Sequence, residues 1–322
     1  MEEKIFASCD LHVSATTLEK KGQAMLTQEN FSSVIDEVMH GAIDMHVHFG
    51  PDMPPTSDLG VARRLDGLGT ARQARDAGMR AIVIKSHHWP TGALARTIQP
   101  LVPEVALFGT VVLNYSIGGL NPFAVEVGAK IGCKVLFAPT WNALHHASGR
   151  RGGSAARTPV GLRGRPGIAI LDERGQLLPE MHEILDIAKA NDMIVATGHV
   201  SPEEHLVLVA EAHRRGMHRV VISHVRDEIS LEDRKRMAKQ GAVVELVYRA
   251  GQDARPLIEA ARAVGVEHCA MTVDGGQAFG PVPAEAFRAF VGQLLFHGMR
   301  PEEVKMMAQT VPARVLGLES GM

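Results

Sequence analysis

Polar and apolar positions along the chain fall into a repeating unit: a short apolar run, a polar or glycine-bearing connection, then a longer helical stretch. The first run, Ile43-Asp44-Met45-His46-Val47-His48, alternates apolar and polar residues with the period of two of a pleated strand. Gly50-Pro51 ends it. Seven further runs of strand length follow, at Arg80–Lys85, Val105–Leu113, Lys134–Ala138, Met193–Thr197, Arg219–Ser223, Ala242–Val247 and His268–Val273. Helices are predicted between them, among others over Asn121–Gly132 and Pro179–Asn191. The start signal is explicit at Ser201-Pro202-Glu203-Glu204: a capping serine, proline at the first helical position and glutamate three residues after the cap. Gly78 and Gly216 stand where a left-handed residue closes a helix. Residues 167–178 read as a hairpin turning at 172–175. Ahead of all this, residues 1–40 form a short N-terminal extension, with a strand expected near Lys4–Ala7 and a helix across Phe31–His40; residues 41–322 are the main domain.

Eight nearly continuous apolar strands, each followed by a helix, indicate an α/β fold whose parallel sheet is buried on both faces. Eight such units close as a (β/α)8 TIM barrel, and 322 residues suit one barrel. The alternative, an open doubly wound sheet, would place a glycine-rich phosphate fingerprint after its first strand, where this chain has His46-Val47-His48. With 45% hydrophobic and 22% charged residues there is ample material for a core. A net charge of −2 supplies no field to recruit nucleic acid or a membrane surface. Cys9, Cys133 and Cys269 are few and unpatterned, which argues for a reducing compartment. The N-terminus lacks a signal-peptide layout and no 18-residue apolar run occurs, so a cytoplasmic protein is expected. Its expected partners are a small-molecule substrate and further copies of itself.

In a barrel, function gathers at the C-terminal ends of the strands. Those positions hold His46 and His48, then Lys85 with His87 and His88, then Asn114, then Thr140 and Trp141. His199, His224, Glu245 and Asp274 follow on the last four strands. Residues two apart leave a strand from one face, so His46 and His48 make half of a metal site. A lone His-x-His is as readily two unrelated histidines. Four histidines and an aspartate at the same end of their strands are poorly explained by chance.

These residues resemble the amidohydrolase superfamily of metal-dependent hydrolases over about Ile43 to Leu318. The resemblance implies that His46, His48, His199, His224 and Asp274 ligate a divalent metal, zinc first with manganese or iron as alternatives, as one ion or two. Lys85-Ser86-His87-His88, the run from Thr197 to Glu204, and Asp274-Gly275-Gly276-Gln277 are similar to a poorly characterised branch. Many members with two metals carry a carboxylated lysine or a glutamate after strand 3 or 4, but here strand 4 ends in Pro139-Thr140-Trp141. The strand-end lysine is Lys85, on strand 2, with three readings: a carboxylated bridging ligand, an anchor for an anionic substrate group, or a structural residue.

A metal held in this way lowers the pKa of bound water to about 7. Asp274 is then expected to carry the proton to the leaving group, and His224 to serve the metal or the oxyanion. Arg226 and Arg249, just past strands 6 and 7, suit a substrate carboxylate, though each reads equally as a solvated loop residue. Glu245 is a partner to a ligand or a substrate contact, and His87 and His88 line the pocket. His145 and His146 line it too, or are solvated. Residues 148–167, with six glycines, five arginines and no acid, lack a phosphate-cradling motif and read as a lid or subunit contact.

The expected activity is hydrolysis of an amide, cyclic amides included, or of an ester or lactone. The alternative is a metal-dependent decarboxylase or lyase acting on a small aromatic or unsaturated acid. A phosphoesterase stands third. A metal-free binding protein is the non-enzymatic reading.

Overall fold

A computed structural model describes residues 30–52, 62–148, 165–224 and 228–318. Eight strands form one wholly parallel sheet in sequence order: β1 (Ile43–His48), β2 (Ala81–Lys85), β3 (Ala106–Val112), β4 (Cys133–Phe137), β5 (Ile194–Ala196), β6 (Val220–Ile222), β7 (Val243–Val247) and β8 (Cys269–Thr272). Past the strand ends, the seam between β8 and β1 is joined by a parallel bridge of Val47 with Gly275, where the His48 N–H donates to the Gly275 carbonyl at 2.8 Å. The result is a nearly closed (β/α)8 barrel, as expected. Each strand lies within about a residue of its predicted run, because a buried parallel strand leaves an unbroken apolar signature.

Every strand contributes alternate residues to two cores. Ala81, Val83, Val112, Val135, Phe137, Ile194, Ala196, Val221, Val243 and Ala270 pack together within the barrel, with Val311 and Val315 of the C-terminal helix Val311–Leu316. Ile82, Ile84, Val111, Leu136, Val195, Ile222, Val244 and Met271 belong to the outer core, shared with helices such as Pro179–Ala190 and Pro202–Arg214. The inward rows turn polar at their C-terminal ends. Ala81 and Val83 lead to Lys85, Val243 to Glu245, and Ala270 to Thr272. That change of polarity within one row creates the site.

β1 departs from strict alternation. Ile43 and Met45 lie in the inner core but Val47 lies in the outer one. Pairing with β2 explains this, since the register shifts between Asp44 and Val47. A bulge of this kind re-aims the side chains beyond it. It is what turns His46 and His48 inward.

The local signals behave as their chemistry predicts. Ser201 and Glu204 form a reciprocal capping box on Pro202–Arg214, and Gly78 and Gly216 are left-handed at helix ends. The hairpin closes through the Asp172 N–H to the Gln176 carbonyl, 2.8 Å. Phe31–Met39 is helical; the strand expected near Lys4–Ala7 lies outside the described residues. Among the described residues no helix is long and apolar enough to cross a membrane.

Candidate metal centre

At the C-terminal end of the barrel, Asp274 Oδ1 lies 3.2 Å from His46 Nε2 and 3.1 Å from His48 Nε2, and its Oδ2 lies 3.4 Å from His224 Nε2. The other nitrogens of the first two rings are already placed. His48 Nδ1 donates to the Lys85 carbonyl at 3.1 Å, and His46 Nδ1 pairs with Glu245 Oε1 at 3.2 Å. With Nδ1 protonated and engaged, Nε2 keeps its lone pair for a ligand, the arrangement that metal-binding histidines require. His46, His48 and Asp274 therefore fit a divalent cation by donor chemistry. A second group, His46, His224 and Glu245, also has donor atoms within 4.8 Å of one another.

Electrostatics keep these groups in ligand form. Burial lowers the His48 and His87 rings well below the usual histidine value, and it lowers His224 to about 3. Burial pushes both carboxylates up, but the polar N–H groups of the facing histidines, His46 and His224 first, outweigh it. Glu245 falls to about 2 and Asp274 well below the usual range. Neutral imidazoles and ionised carboxylates are what a cation binds. His224 and Asp274 also share a left-handed backbone, each at φ 47°. Non-glycine residues rarely adopt it, and such strain gathers at functional sites.

Lys85 is fully buried, its Nζ 2.9 Å from His46 Nε2 and 4.3 Å over the Phe137 ring. His199 stands in neither donor group. Its ring lies 4.8 Å from that of His224, and its Nδ1 is 3.1 Å from His146 Nδ1. His87 is sandwiched between His48 and Trp141, with centroids at 4.9 and 4.4 Å. His88 is edge-on to Trp141, with Nε2 4.0 Å from Asp52 Oδ1. Arg249, half exposed, reaches to 3.8 Å from Asp274 Oδ2. Arg226 lies outside the described residues.

Of the two sequence readings of Glu245, the geometry shows the one that pairs it with the histidines. Its side chain is 2% exposed, and its Oε2 accepts the His224 backbone N–H at 2.9 Å while Oε1 holds His46. Both oxygens face the histidines, so in this arrangement Glu245 acts as a partner to His46 and His224.

Three features gain roles that the sequence did not assign. Asp44, fully buried, accepts at Oδ1 from Thr272 Oγ1 and from the His46 N–H at 3.0 Å. Asp52 and Arg63 form a buried ion pair at 2.6 Å, and the Arg63 charge adds to the lowering of His48 and His87. Asn114 ties the ends of β2, β3 and β4 together through His87, Thr140 and Asn142. Asp44 was legible in principle, as the acid two residues before His46.

The sequence profile of a family of unknown function (DUF6282) matches residues 41–245. No curated protein matches the sequence. Among solved structures, the probable dipeptidase PvdM from Pseudomonas aeruginosa shares 10% identity at a TM-score of 0.62, over 90% of this chain and 98% of that one. An amidohydrolase from Burkholderia multivorans with bound zinc shares 12% at 0.53, over 86% and 99%. A 2,6-dihydroxybenzoate decarboxylase bound to 2,6-dihydroxybenzoate shares 10% at 0.55, again over 86% and 99%. At these identities the likeness is one of fold, and the fold is that of amidohydrolase structures.

Proposed function

We propose, for a chain that belongs to the DUF6282 family of unknown function, a metal-dependent hydrolase acting on the carbonyl carbon of a small amide, cyclic amide, ester or lactone. One observation carries the reading. Two Nε2 atoms lie within 3.2 Å of one carboxylate oxygen contributed from far along the chain, with both Nδ1 atoms already engaged. His46, His48 and Asp274 would hold the ion, with His224 and His199 beside them. Zinc is the first candidate, in line with the zinc held by a protein of the same fold.

Bound there, a divalent cation supplies Lewis acidity and lowers the pKa of water to about 7. The chain's own residues do the rest. Asp274, held ionised, takes the proton of the attacking water and returns it to the leaving nitrogen or oxygen. His224 Nε2, beside Asp274 Oδ2, serves the oxygen on which charge develops. Arg249 orients an anionic substrate group at the mouth. Glu245 fixes His46 and the His224 backbone from beneath.

Lys85 acquires a defined role on this reading. An ammonium 2.9 Å from His46 Nε2 competes with a cation for the same lone pair. Metal loading therefore requires Lys85 to leave His46 as an ammonium, to be uncharged, or to be carboxylated, in which case its neutral amine adds CO2 and releases one proton, becoming an anionic ligand. A count of metal ions per chain in wild type and Lys85→Ala separates the cases. Two ions falling to one or none make Lys85 a bridge. One ion in both makes it a substrate or structural residue.

Decarboxylation of a small aromatic acid is the second reading, favoured by the stacked His87–Trp141 plane set against His48. The experiment is product analysis of lactams, lactones and N-acyl compounds alongside hydroxylated aromatic acids. Water-dependent ring opening or cleavage supports the hydrolase, and CO2 release overturns it in favour of the second reading. Either activity should fall by at least about 100-fold in Asp274→Asn.

A further inference from the structure

Backbone groups fix the way the Asn114 amide points at the end of β3. Its Oδ1 accepts from the N–H of Thr140 at 2.9 Å and of Asn142 at 3.3 Å. Nδ2 is therefore the donor end, and it donates to the His87 carbonyl at 2.9 Å and to Thr140 Oγ1 at 2.8 Å. A hydroxyl that accepts in this way still has its own proton to place. Among the described residues the acceptor within reach is His87 Nδ1, 2.8 Å away. Donation from Thr140 to Nδ1 puts the ring proton of His87 on Nε2. The reverse assignment would leave the proton of a fully buried hydroxyl without an acceptor, which buried polar groups avoid. The ring is also clamped in place, tilted only 24° from His48 on one face and 22° from Trp141 on the other.

We propose that Asn114, acting through Thr140, holds neutral His87 as its Nε2–H tautomer, so that His87 is a hydrogen-bond donor to a substrate oxygen beside the metal ligands and is not itself a ligand. An imidazole protonated at Nε2, with Nδ1 already accepting, has no lone pair left for a cation. It offers one N–H from a rigid ring only 4% exposed, set against His48 and 5.9 Å from the His199 ring. A carbonyl or carboxylate oxygen is the chemistry that matches such a donor. Asn114 and Thr140 are positioning residues: they touch His87 and set its proton. What the donor meets rests on the hydrolase reading above, but the tautomer does not.

The test reads the tautomer directly. Full-length protein labelled with 15N-histidine is examined by long-range proton–nitrogen correlation, once after chelator treatment and once with added zinc. The His87 signals are assigned by their loss in His87→Gln. The expected result is Nε2 protonated and Nδ1 bare in both conditions, a move toward Nδ1–H in Thr140→Val, and recovery in Thr140→Ser. Nδ1–H in the wild type overturns the proposal, and so does an unchanged His87 pattern in folded Thr140→Val. If Thr140→Val does not fold, the wild-type and Thr140→Ser patterns decide by the same criterion. Loss of the Nε2 proton on adding zinc makes His87 a ligand and overturns the proposal. If zinc perturbs no histidine while His87 stays Nε2–H, the metal reading fails and the tautomer stands.

Discussion

Asp44 sits where a carboxylate is hardest to keep. It is fully buried at the seam of β1 and β8, its Oδ1 accepts two hydrogen bonds, and its Oδ2 has no hydrogen-bond partner among the described residues. Burial, together with the charges of Glu245 and Asp274, pushes its carboxyl up to about 8 from 3.8, against the lowering effect of Thr272 and the His46 N–H. The folded chain therefore keeps a proton that the unfolded chain gives up near pH 4. Its contribution to stability is complete below that point and is lost progressively as pH rises toward 8. The interval spans roughly four pH units, and at roughly 1.4 kcal/mol per unit it amounts to about 6 kcal/mol in all. Between pH 5 and pH 8 the loss is about 4 kcal/mol, a large share of a typical folding free energy of about 5–15 kcal/mol. Asp44→Asn removes the titration and keeps the shape of the neutral acid, since an amide oxygen still accepts from Thr272 and the His46 N–H. The assay is urea unfolding of chelator-treated wild type and Asp44→Asn at pH 5, 6, 7 and 8. The difference between the two proteins isolates Asp44 from the histidines that titrate in the same range. The variant should gain on the wild type by about 4 kcal/mol from pH 5 to pH 8. Parallel stability curves would refute the reasoning and mean that Asp44 is ionised in the fold.

Glu245→Gln replaces one acceptor of the His46–Glu245–His224 link with a donor, which meets either the His46 Nδ1–H or the His224 N–H. Zinc affinity, read by competition with a chromophoric chelator, should fall about 10- to 100-fold while the circular dichroism is unchanged. Gly276 has φ +119°, and a Cβ there would lie 2.0 Å from the His48 carbonyl oxygen. Gly276→Ala should destabilise the fold by at least about 1–3 kcal/mol in denaturant and weaken zinc binding as well, because the β1–β8 seam carries both His48 and Asp274. Asp274→Asn should retain the fold and reduce turnover of any substrate found by at least about 100-fold in steady-state assays.

Secondary structure was legible because buried parallel strands write their burial into the sequence. Val83, Ile84 and their counterparts are apolar on both faces of the sheet, so the run stands out even without alternation. The gathering of His46, His48, His224 and Asp274 was legible for a related reason: once eight strands are in order, their C-terminal ends share one mouth. What stayed hidden depends on contacts between strands. Periodicity alone put Ile43, Met45 and Val47 on one face, and the shift in pairing with β2 that turns His46 and His48 inward has no mark in the residues themselves. Glu245 looked as much like a substrate contact as a partner, because its pairing with His46 and the His224 N–H spans three strands. Asn114 and Thr140 stood at strand ends without a role, because a relay through an amide and a hydroxyl exists only when three strands are side by side. His146 reads from the sequence as either pocket lining or a solvated loop residue, and it reaches the ring of His199.

The central claim is that His46, His48 and Asp274 hold a divalent ion, and elemental analysis of protein purified without chelator tests it most directly. At least one ion per chain is predicted for the wild type and none for the folded His46→Ala, with zinc the first expected. A wild type without metal that takes up none on addition of zinc, manganese or iron, or a His46→Ala protein with undiminished metal, would contradict it.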